Sequence, residues 1–245
     1  MVIFMSGHSK WNTIKRKKEK TDSQRAKVFT KIGREIAVAV REGGADPTVN
    51  SKLKDAIAKA KANNVPNDNI DRVIKKSSES KDDNYESIFY EGYGPSGVAI
   101  IVETLTDNRN RTAGDLRHYF DKNGGNLGQT GCVSFMFEPK GVIIIENNGI
   151  DEEKMMEDCF EAGAVDFDFS DEVIEIFAGV NELSQVSSVL STKGYKFESA
   201  EVEYIPANYV KIEEEELVVK MEKLLDMLDE NDDVQNAWHN WDQPE

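Results

Sequence analysis

Apolar residues in the first third of the chain recur at the spacing of an α-helix. Between Gln24 and Glu42 they lie three or four residues apart, and Gly43-Gly44 marks the end of the pattern. The recurring residues are Phe29, Ile32, Ile36 and Val40. Asp46-Pro47 predicts the start of a second helix, and a third is predicted after Pro66. Three short helices predict one small helical domain.

A polar linker, Ser77 to Asn84, separates these helices from a region with the alternating pattern of β-strands. The predicted elements beyond it are strand Ile88 to Tyr93, strand Val98 to Leu105, a helix from Arg111 to Asn123 and strand Val133 to Phe137. A last helix is predicted from Glu213 to Asp229, because Leu217, Met221, Leu224 and Leu228 fall on one face.

Between Gly141 and Tyr204 the pattern alternates more regularly between strands and helices. The predicted order is strand Val142 to Glu146, helix Asp151 to Ala162, strand Val165 to Phe169, strand Val173 to Phe177, helix Asn181 to Lys193 and strand Lys196 to Tyr204. This β-α-β-β-α-β order is the ferredoxin-like plan. Because further elements precede and follow it, we interpret the segment as an insertion.

The elements together predict an α+β protein with an N-terminal three-helix domain and two small α/β domains, the last a ferredoxin-like unit inserted into the middle domain. We expect a basic flexible arm over residues 1–23 and a helical basic domain over residues 24–80. The middle α/β domain is expected to be discontinuous, over residues 81–140 and 205–245, with the inserted domain over residues 141–204.

Charge is distributed very unevenly along the chain. The 245 residues carry a formal net charge of −16. Up to Lys81, however, there are 19 Lys and Arg against 9 Asp and Glu, about +10, which leaves 11 basic and 37 acidic residues, about −26, for the remainder. Because attraction to phosphate depends on the local field, an acidic average does not exclude nucleic acid as a partner of the N-terminal part.

The segment Ser6 to Ser23 lacks sustained periodicity and is predicted to be an extended basic arm. Trp11 and Ile14 are its large apolar side chains. Trp11 has two interpretations: its indole stacks on a nucleobase while the neighbouring cations hold the phosphates, or it is a hydrophobic anchor that docks the arm. The arm also has the simpler interpretation of a solvated basic tail.

Two further groups of residues favour contact with phosphate. Lys27, Lys31, Arg34 and Arg41 form a basic stripe opposite the apolar face of the first helix, and we favour a phosphate-tracking surface over an ordinary solvated face. The turn Thr106 to Thr112 places capping side chains and two guanidinium groups at a helix N-terminus, which suits an anion. Its alternative interpretation is a capped turn whose arginines pair with nearby carboxylates.

Other patterns exclude function classes. The glycine-rich segment Asn123 to Gly131 runs from helix to strand, so helix capping explains it better than a nucleotide site. Cys132 and Cys159 predict buried free thiols, and the three His are too scattered for a metal site. Asp229 to Asp233 resembles the start of an EF-hand loop but lacks its glycine and closing glutamate, so we expect a solvated acidic helix end.

The sequence shows no motif of a hydrolase, metalloprotease or nucleotide-binding enzyme, so we expect neither an enzyme nor a cofactor. No apolar run reaches the length of a membrane span, and Met1 to Phe4 is too short for a signal peptide. We therefore expect a cytoplasmic protein without a membrane or small-molecule partner. A scaffold whose acidic α/β body binds proteins remains a third class.

Several of these segments together resemble the YebC family, also called the TACO family. They are GHSKW, RAKVFTKIGREI, YEGYGPSGVAIIVETLTDNRNRT, KNGGNLGQTGCVSFMF and DDVQNAW, and the resemblance spans Met5 to Trp241. It implies three domains, the third inserted into the second, and a role in gene expression. Bacterial members are described as DNA-binding transcriptional regulators, while relatives act in translation, as mitochondrial activators or on ribosomes stalled at proline-rich sequences.

We therefore expect a nucleic-acid-binding regulator whose partner is duplex DNA or, alternatively, ribosomal or transfer RNA on the ribosome. No recognition helix or RNA-binding aromatic motif is evident, which favours contact with shape and backbone. The predicted contacts are His8, Ser9, Lys10, Trp11, Lys15, Arg16, Lys17, Lys18, Lys20, Arg25, Lys27, Lys31, Arg34 and Arg41. A second anion site is predicted at Asn108, Arg109, Asn110, Arg111 and Thr112.

Overall fold

A computed structural model of the chain describes Trp11, Ile14 and residues 22–79 and 85–243, with side chains of the first helix described from residue 26 onward. The described residues divide into two units. The first unit contains Trp11, Ile14 and Phe137–Ala207. The second contains the described residues between 22 and 136 and those from Asn208 onward. Within the described ranges, no helix is long and apolar enough to cross a membrane.

Residues 22–79 form the helical domain. Its helices are α1 (Asp22–Gly43), α2 (Ser51–Ala62) and α3 (Asn67–Glu79). Helices α2 and α3 both pack against α1, and the apolar stripes of all three helices form one core. The most buried members of this core are Ile32, Ile36, Leu53, Ala60 and Ile70. The apolar face predicted for the first helix therefore lies where its spacing indicated.

Helix α2 begins four residues beyond the predicted Asp46-Pro47. Its N-cap is Asn50, whose side-chain oxygen accepts a hydrogen bond from the Leu53 amide (3.1 Å). The Asn50 amide group also donates to the carbonyls of Ala39 (2.7 Å) and Gly44 (2.8 Å) at the end of α1. Because a single buried side chain caps one helix and satisfies carbonyls at the end of another, the tertiary contact sets where α2 starts.

The other elements alternate between helices and strands. The helices are α4 (Arg109–Lys122), α5 (Glu152–Ala162), α6 (Leu183–Thr192) and α7 (Glu215–Glu230), with short 3-10 turns at Pro95–Gly97 and Ser134–Met136. The strands are β1 (Glu86–Tyr93), β2 (Ala99–Thr106), β3 (Asn126–Leu127), β4 (Phe137–Glu146), β5 (Asp166–Phe169), β6 (Val173–Ala178), β7 (Ser199–Pro206), β8 (Val210–Lys211), β9 (Val234–His239) and β10 (Trp241–Asp242). The α+β prediction is confirmed.

The second domain is built on a four-stranded sheet in the order β3-β1-β2-β9. Strand β2 lies inside the sheet, with antiparallel neighbours on both sides. Helices α4 and α7 pack their apolar residues against one face of this sheet. The fully buried members include Ile100, Val102, Leu116, Phe120, Met221 and Leu224. Helix α7 thus returns to complete this domain after the chain has passed through residues 137–207.

Residues 137–206 form the β-α-β-β-α-β unit. Its sheet order is β5-β6-β4-β7, and all neighbouring strands are antiparallel. Numbered within the unit, this order is 2-3-1-4, the arrangement expected of a ferredoxin-like fold. Helices α5 and α6 cover one face, where Ile143, Ile174 and Ile176 meet Met155 and Leu190.

The prediction of a strand from Val133 to Phe137 is wrong. That segment is a 3-10 turn at Ser134–Met136, and β4 begins only at Phe137. The buried carboxylate of Glu91 accepts hydrogen bonds from the amides of Gly131, Val133 and Ser134, each at 2.8 Å. Burial acts to raise the pKa of Glu91, but these bonds outweigh it and lower the pKa. The amides cannot pair in a ladder because a carboxylate already holds them.

Strand β9 was not predicted. It pairs antiparallel with β2, placing Trp238 opposite Ile101 and Ala237 opposite Val102. Only Val234 and Trp238 of its six residues are buried, so the segment lacks the regular alternation that marks a strand. Pairing with the inner strand β2, rather than local sequence, makes this segment a strand.

Glycines in the loop after α4 permit a close approach to β1. A Cβ at Gly125 would lie 2.5 Å from the Tyr93 carbonyl oxygen, whereas one at Gly114, within α4, would meet nothing within 4 Å. We expect Gly125→Ala to lower the free energy of unfolding by about 1–3 kcal/mol through the backbone clash. Gly114→Ala should raise it by about 0.5–1 kcal/mol, since Ala favours a helix over Gly. Urea unfolding followed by circular dichroism measures both, and effects of the same sign would contradict this account.

Candidate nucleic-acid interface

The predicted anion site at the start of α4 holds an anion from the chain itself, the carboxylate of Asp233. The Asp233 Oδ2 oxygen accepts hydrogen bonds from Arg111 Nη2 (2.8 Å), from the Thr112 hydroxyl (2.7 Å) and from the Thr106 hydroxyl (3.2 Å). Asn108 caps the helix by accepting from the Arg111 amide (3.1 Å). The geometry that suits an external anion is thus used internally, as in the alternative in which the arginines pair with carboxylates.

The other carboxylate oxygen of Asp233 binds the helical domain. Arg34 Nη1 donates to Asp233 Oδ1 (2.7 Å) and to the Asp232 carbonyl (2.6 Å), and its guanidinium lies over the Tyr85 ring at 5.3 Å from the centroid. Asp233 is only 3% exposed. Burial acts to raise the pKa of Asp233, but the hydrogen bonds from Arg111, Thr112 and Arg34 outweigh it and hold the pKa below its ordinary value.

Two lysines of the predicted basic stripe reach the C-terminal end of α7. Lys31 Nζ donates to the Asp229 carbonyl (2.7 Å) and Lys27 Nζ to the Glu230 carbonyl (3.3 Å). The last carbonyls of a helix lack partners within the helix and carry partial negative charge, so cations stabilise them. We name the contact of Lys27, Lys31 and Arg34 with residues 229–233 the α1–α7 joint.

The joint corrects two expectations. The segment from Asp229 to Asp233 is not a fully solvated helix end, because Asp233 is buried and neighbouring carbonyls accept from basic side chains. Lys31 and Arg34 are also not displayed to solvent, since their side chains are only 12% and 16% exposed. Most of the predicted phosphate-tracking stripe therefore faces the second domain.

The other predicted contacts lie outside the α1–α7 joint or outside the described residues. Arg41 lies exposed in the last turn of α1, and Arg109 and Asn110 are exposed at the start of α4. The following predicted residues lie outside the described part of the chain: His8, Ser9, Lys10, Lys15, Arg16, Lys17, Lys18, Lys20 and the side chain of Arg25. The structure brings together Lys27, Lys31, Arg34, Arg111 and Thr112 around residues 229–233.

Trp11 lies against the ferredoxin-like sheet. Its side chain is 4% exposed and packs with Val142, Ile144, Val173 and Phe177, while the indole nitrogen donates to Glu172 Oε2 (3.2 Å). Ile14 adds to the same cluster. A buried indole is not available to stack on a base, so in this arrangement Trp11 is the hydrophobic anchor.

The predicted contacts omitted the exposed basic side chains of α2 and α3. On one flank of α2, Lys52 and Lys59 form ion pairs with Glu42 (2.6 Å) and Glu35 (2.9 Å) of α1. Lys54 and Lys61 lie on the other flank and are exposed. Arg72, Lys75 and Lys76 are exposed on α3, opposite its buried Ile70. The sequence signal for these residues was the spacing of the cations from the apolar stripe on each helix.

Comparisons with known proteins agree over nearly the whole chain. A family model described as the TACO1/YebC protein N-terminal domain matches residues 9–80, and one described as the TACO1/YebC second and third domain matches residues 85–241. A "Probable transcriptional regulatory protein" of Finegoldia magna is 58% identical over 97% of this chain and 99% of the relative. One of the same name from Ruminiclostridium cellulolyticum is also 58% identical, over 98% of both chains.

A solved structure has the same fold. The crystal structure of a conserved hypothetical protein from Aquifex aeolicus superposes with a TM-score of 0.84 at 44% sequence identity. The match covers 92% of this chain and 93% of that one.

Replacing Asp233 tests the α1–α7 joint. We expect Asp233→Asn to destabilise the protein by about 2–4 kcal/mol at neutral pH, because Arg34 and Arg111 lose a buried anionic partner. Since the folded pKa of Asp233 is lowered, its contribution is present above the unfolded value near 3.8 and is lost as the pH falls through the folded pKa. The difference between wild type and variant should therefore shrink below about pH 4.

Asp232→Asn is the matched control, because it removes the same charge from an exposed neighbouring side chain. Thermal and urea unfolding of all three proteins at several pH values measures the difference. If the two variants lose the same stability, the Asp233 carboxylate does not hold the joint.

Proposed function

The chain belongs to the TACO1/YebC family, and on that premise we propose that it is a nucleic-acid-binding regulator of gene expression. In this proposal the basic arm and the exposed cations of α2 and α3 contact the phosphate backbone. The description of relatives as transcriptional regulatory proteins supports the regulatory role. The local excess of positive charge in the N-terminal part supports the choice of ligand.

One observation carries the proposal: several N-terminal cations remain at the surface after the domain has formed its own ion pairs. Lys52 and Lys59 are held by glutamates of α1, and Arg34 is held by Asp233. Lys54, Lys61, Arg72 and Lys75 are exposed on the outer sides of α2 and α3. Because long basic side chains on helix surfaces reach phosphate oxygens without reading base edges, we expect backbone-directed binding.

Contacts to the phosphate backbone can form with duplex DNA and with structured RNA. A transcriptional role requires binding to DNA, whereas a translational role requires binding to ribosomal or transfer RNA through the same cations. A-form RNA presents a different spacing of phosphates from B-form DNA, so the relative affinity for the two duplexes separates the roles.

Salt dependence tests the proposal directly. If about six phosphates are neutralised, the logarithm of the binding constant for duplex DNA should fall against the logarithm of salt concentration with a slope of roughly −4 to −5. Replacing Lys54, Lys61, Arg72 and Lys75 with Ala should reduce the magnitude of that slope by up to about 3. Fluorescence anisotropy with labelled DNA and RNA duplexes of one sequence, titrated at several salt concentrations, gives both quantities.

The matched control removes four exposed cations from the acidic part of the chain. Arg117, Lys122, Lys196 and Lys211 are exposed there, and their replacement with Ala changes the net charge equally. The control should retain the wild-type slope to within about 1. A slope near zero for the wild-type protein would exclude the proposed phosphate contacts. If the slope falls equally in both variants, the phosphate contacts do not lie on α2 and α3.

A further inference from the structure

The ferredoxin-like sheet has a second face that α5 and α6 do not cover. Along β6, Ile174 and Ile176 face the helices, so Val173, Glu175 and Phe177 face the other way. We call this second surface the open face. Trp11 and Ile14 pack on it together with Val142 and Ile144 of β4.

The open face is strongly acidic around its apolar centre. Cross-strand partners share a face of an antiparallel sheet, so pairing of Asp168 with Glu175, of Asp166 with Phe177 and of Glu201 with Val142 places these acids on it. Glu203 lies on the same face, opposite Lys140. Glu172, at the turn before β6, accepts the hydrogen bond from the Trp11 indole.

One of these carboxyl groups is buried without a hydrogen-bond donor. Glu175 is 2% exposed, and neither of its side-chain oxygens has a partner among the described residues. Burial first, and then the nearby charges of Asp168 and Glu203, raise its pKa to about 8. Burial is the main cause of this rise in pKa, and the two neighbouring carboxylates add to it. The carboxylates around the apolar centre therefore favour a positively charged occupant.

The sequence around Trp11 has the complementary chemistry. Trp11 and Ile14 supply the apolar contact, and they are flanked along the chain by basic residues. The flanking residues are Lys10, Lys15, Arg16, Lys17 and Lys18. An apolar pair within a run of cations matches an apolar patch ringed by carboxylates.

We propose that the open face is a binding surface for the chain's own basic arm, anchored by Trp11, and that it competes with nucleic acid for the same cations. This inference rests on the proposed function, because competition requires a nucleic-acid ligand. The acidic sheet then acts as an internal substitute for phosphate. Nucleic acid binds fully only after Trp11 leaves the sheet.

Competition of this kind lowers the apparent affinity for nucleic acid by the fraction of molecules whose arm is released. Weakening the docking should therefore strengthen nucleic-acid binding, although no cation is added. If Trp11 is only a structural anchor, the result differs, because loss of the anchor would leave the affinity for nucleic acid unchanged or reduce it.

Two variants weaken the docking, one by changing the sheet and the other by changing the arm. The face variant, Glu172→Gln with Glu201→Gln and Glu203→Gln, removes three charges that attract the arm and relieves repulsion among the carboxylates. Trp11→Ala removes the anchor without changing any charge. The control, Glu153→Gln with Glu157→Gln and Glu182→Gln, makes the same change in net charge at exposed positions in or beside α5 and α6.

The experiment measures the affinity of each full-length protein for one RNA duplex and one DNA duplex at low salt by fluorescence anisotropy. We expect the face variant and Trp11→Ala to bind about 10-fold more tightly than wild type, and the control to differ by less than about 2-fold. If wild type binds and neither docking variant binds more tightly than the control, the inference is overturned while the proposed function stands.

A second measurement needs no nucleic acid. It distinguishes failure of the proposed docking from failure of the proposed function. Trp11 fluorescence, isolated by subtracting the spectrum of Trp11→Phe, should shift to longer wavelength in the face variant because the indole enters water. The control should keep the wild-type spectrum. If no protein binds either duplex, the proposed function fails, and an unshifted spectrum in the face variant independently overturns docking on the acidic face.

Discussion

The carboxylate of Asp233 lies buried between Arg34 of the first helix and Arg111 in the first turn of α4, and it links the helical domain to the second domain. A buried charge is tolerated only where it is paired and hydrogen-bonded, and Asp233 has a guanidinium on each oxygen together with two threonine hydroxyls. Lys27 and Lys31 extend the same contact to the last carbonyls of α7. The helical domain is therefore bound to the second domain by charged and hydrogen-bonded side chains.

This use of charge limits where an external anion can bind. Arg111 and Thr112 have the geometry of an anion site, yet Asp233 already fills it. Lys54, Lys61, Arg72 and Lys75 have exposed side chains on α2 and α3, where a phosphate could meet them in the proposed interface. The nucleic-acid contacts proposed above therefore lie on helix surfaces that the joint leaves exposed, together with the arm.

The ferredoxin-like unit repeats the same principle with another set of residues. An acidic sheet face carries the apolar anchor Trp11 from the most basic part of the sequence. In both places acidic and basic segments that are far apart in sequence meet in one unit. A chain with so uneven a distribution of charge thus pairs some of its basic side chains internally, as it pairs Arg34 and Arg111 with Asp233.

Much of the fold follows from local pattern. The apolar spacing of Phe29, Ile32 and Ile36, and the alternation in the ferredoxin-like segment, determine helices and strands because each element must bury one periodic face. The resemblance in sequence also identified the family. Segments without such a face could not be assigned: β9 is a strand because β2 offers it a partner, and Ser134 is not in a strand because Glu91 holds its amide.

The roles of the charged residues depended on tertiary structure for a related reason. A sequence shows that Lys31, Arg34 and Arg111 are basic and which helix face they occupy, but a solvated cation and a paired one have the same local pattern. Asp233 lies 199 residues beyond Arg34 and 122 beyond Arg111. The sequence by itself thus determined most of the helices and strands, the segregation of charge and the family. Only the folded chain decided which cations meet carboxylates, because electrostatic pairing depends on distance in space rather than along the chain.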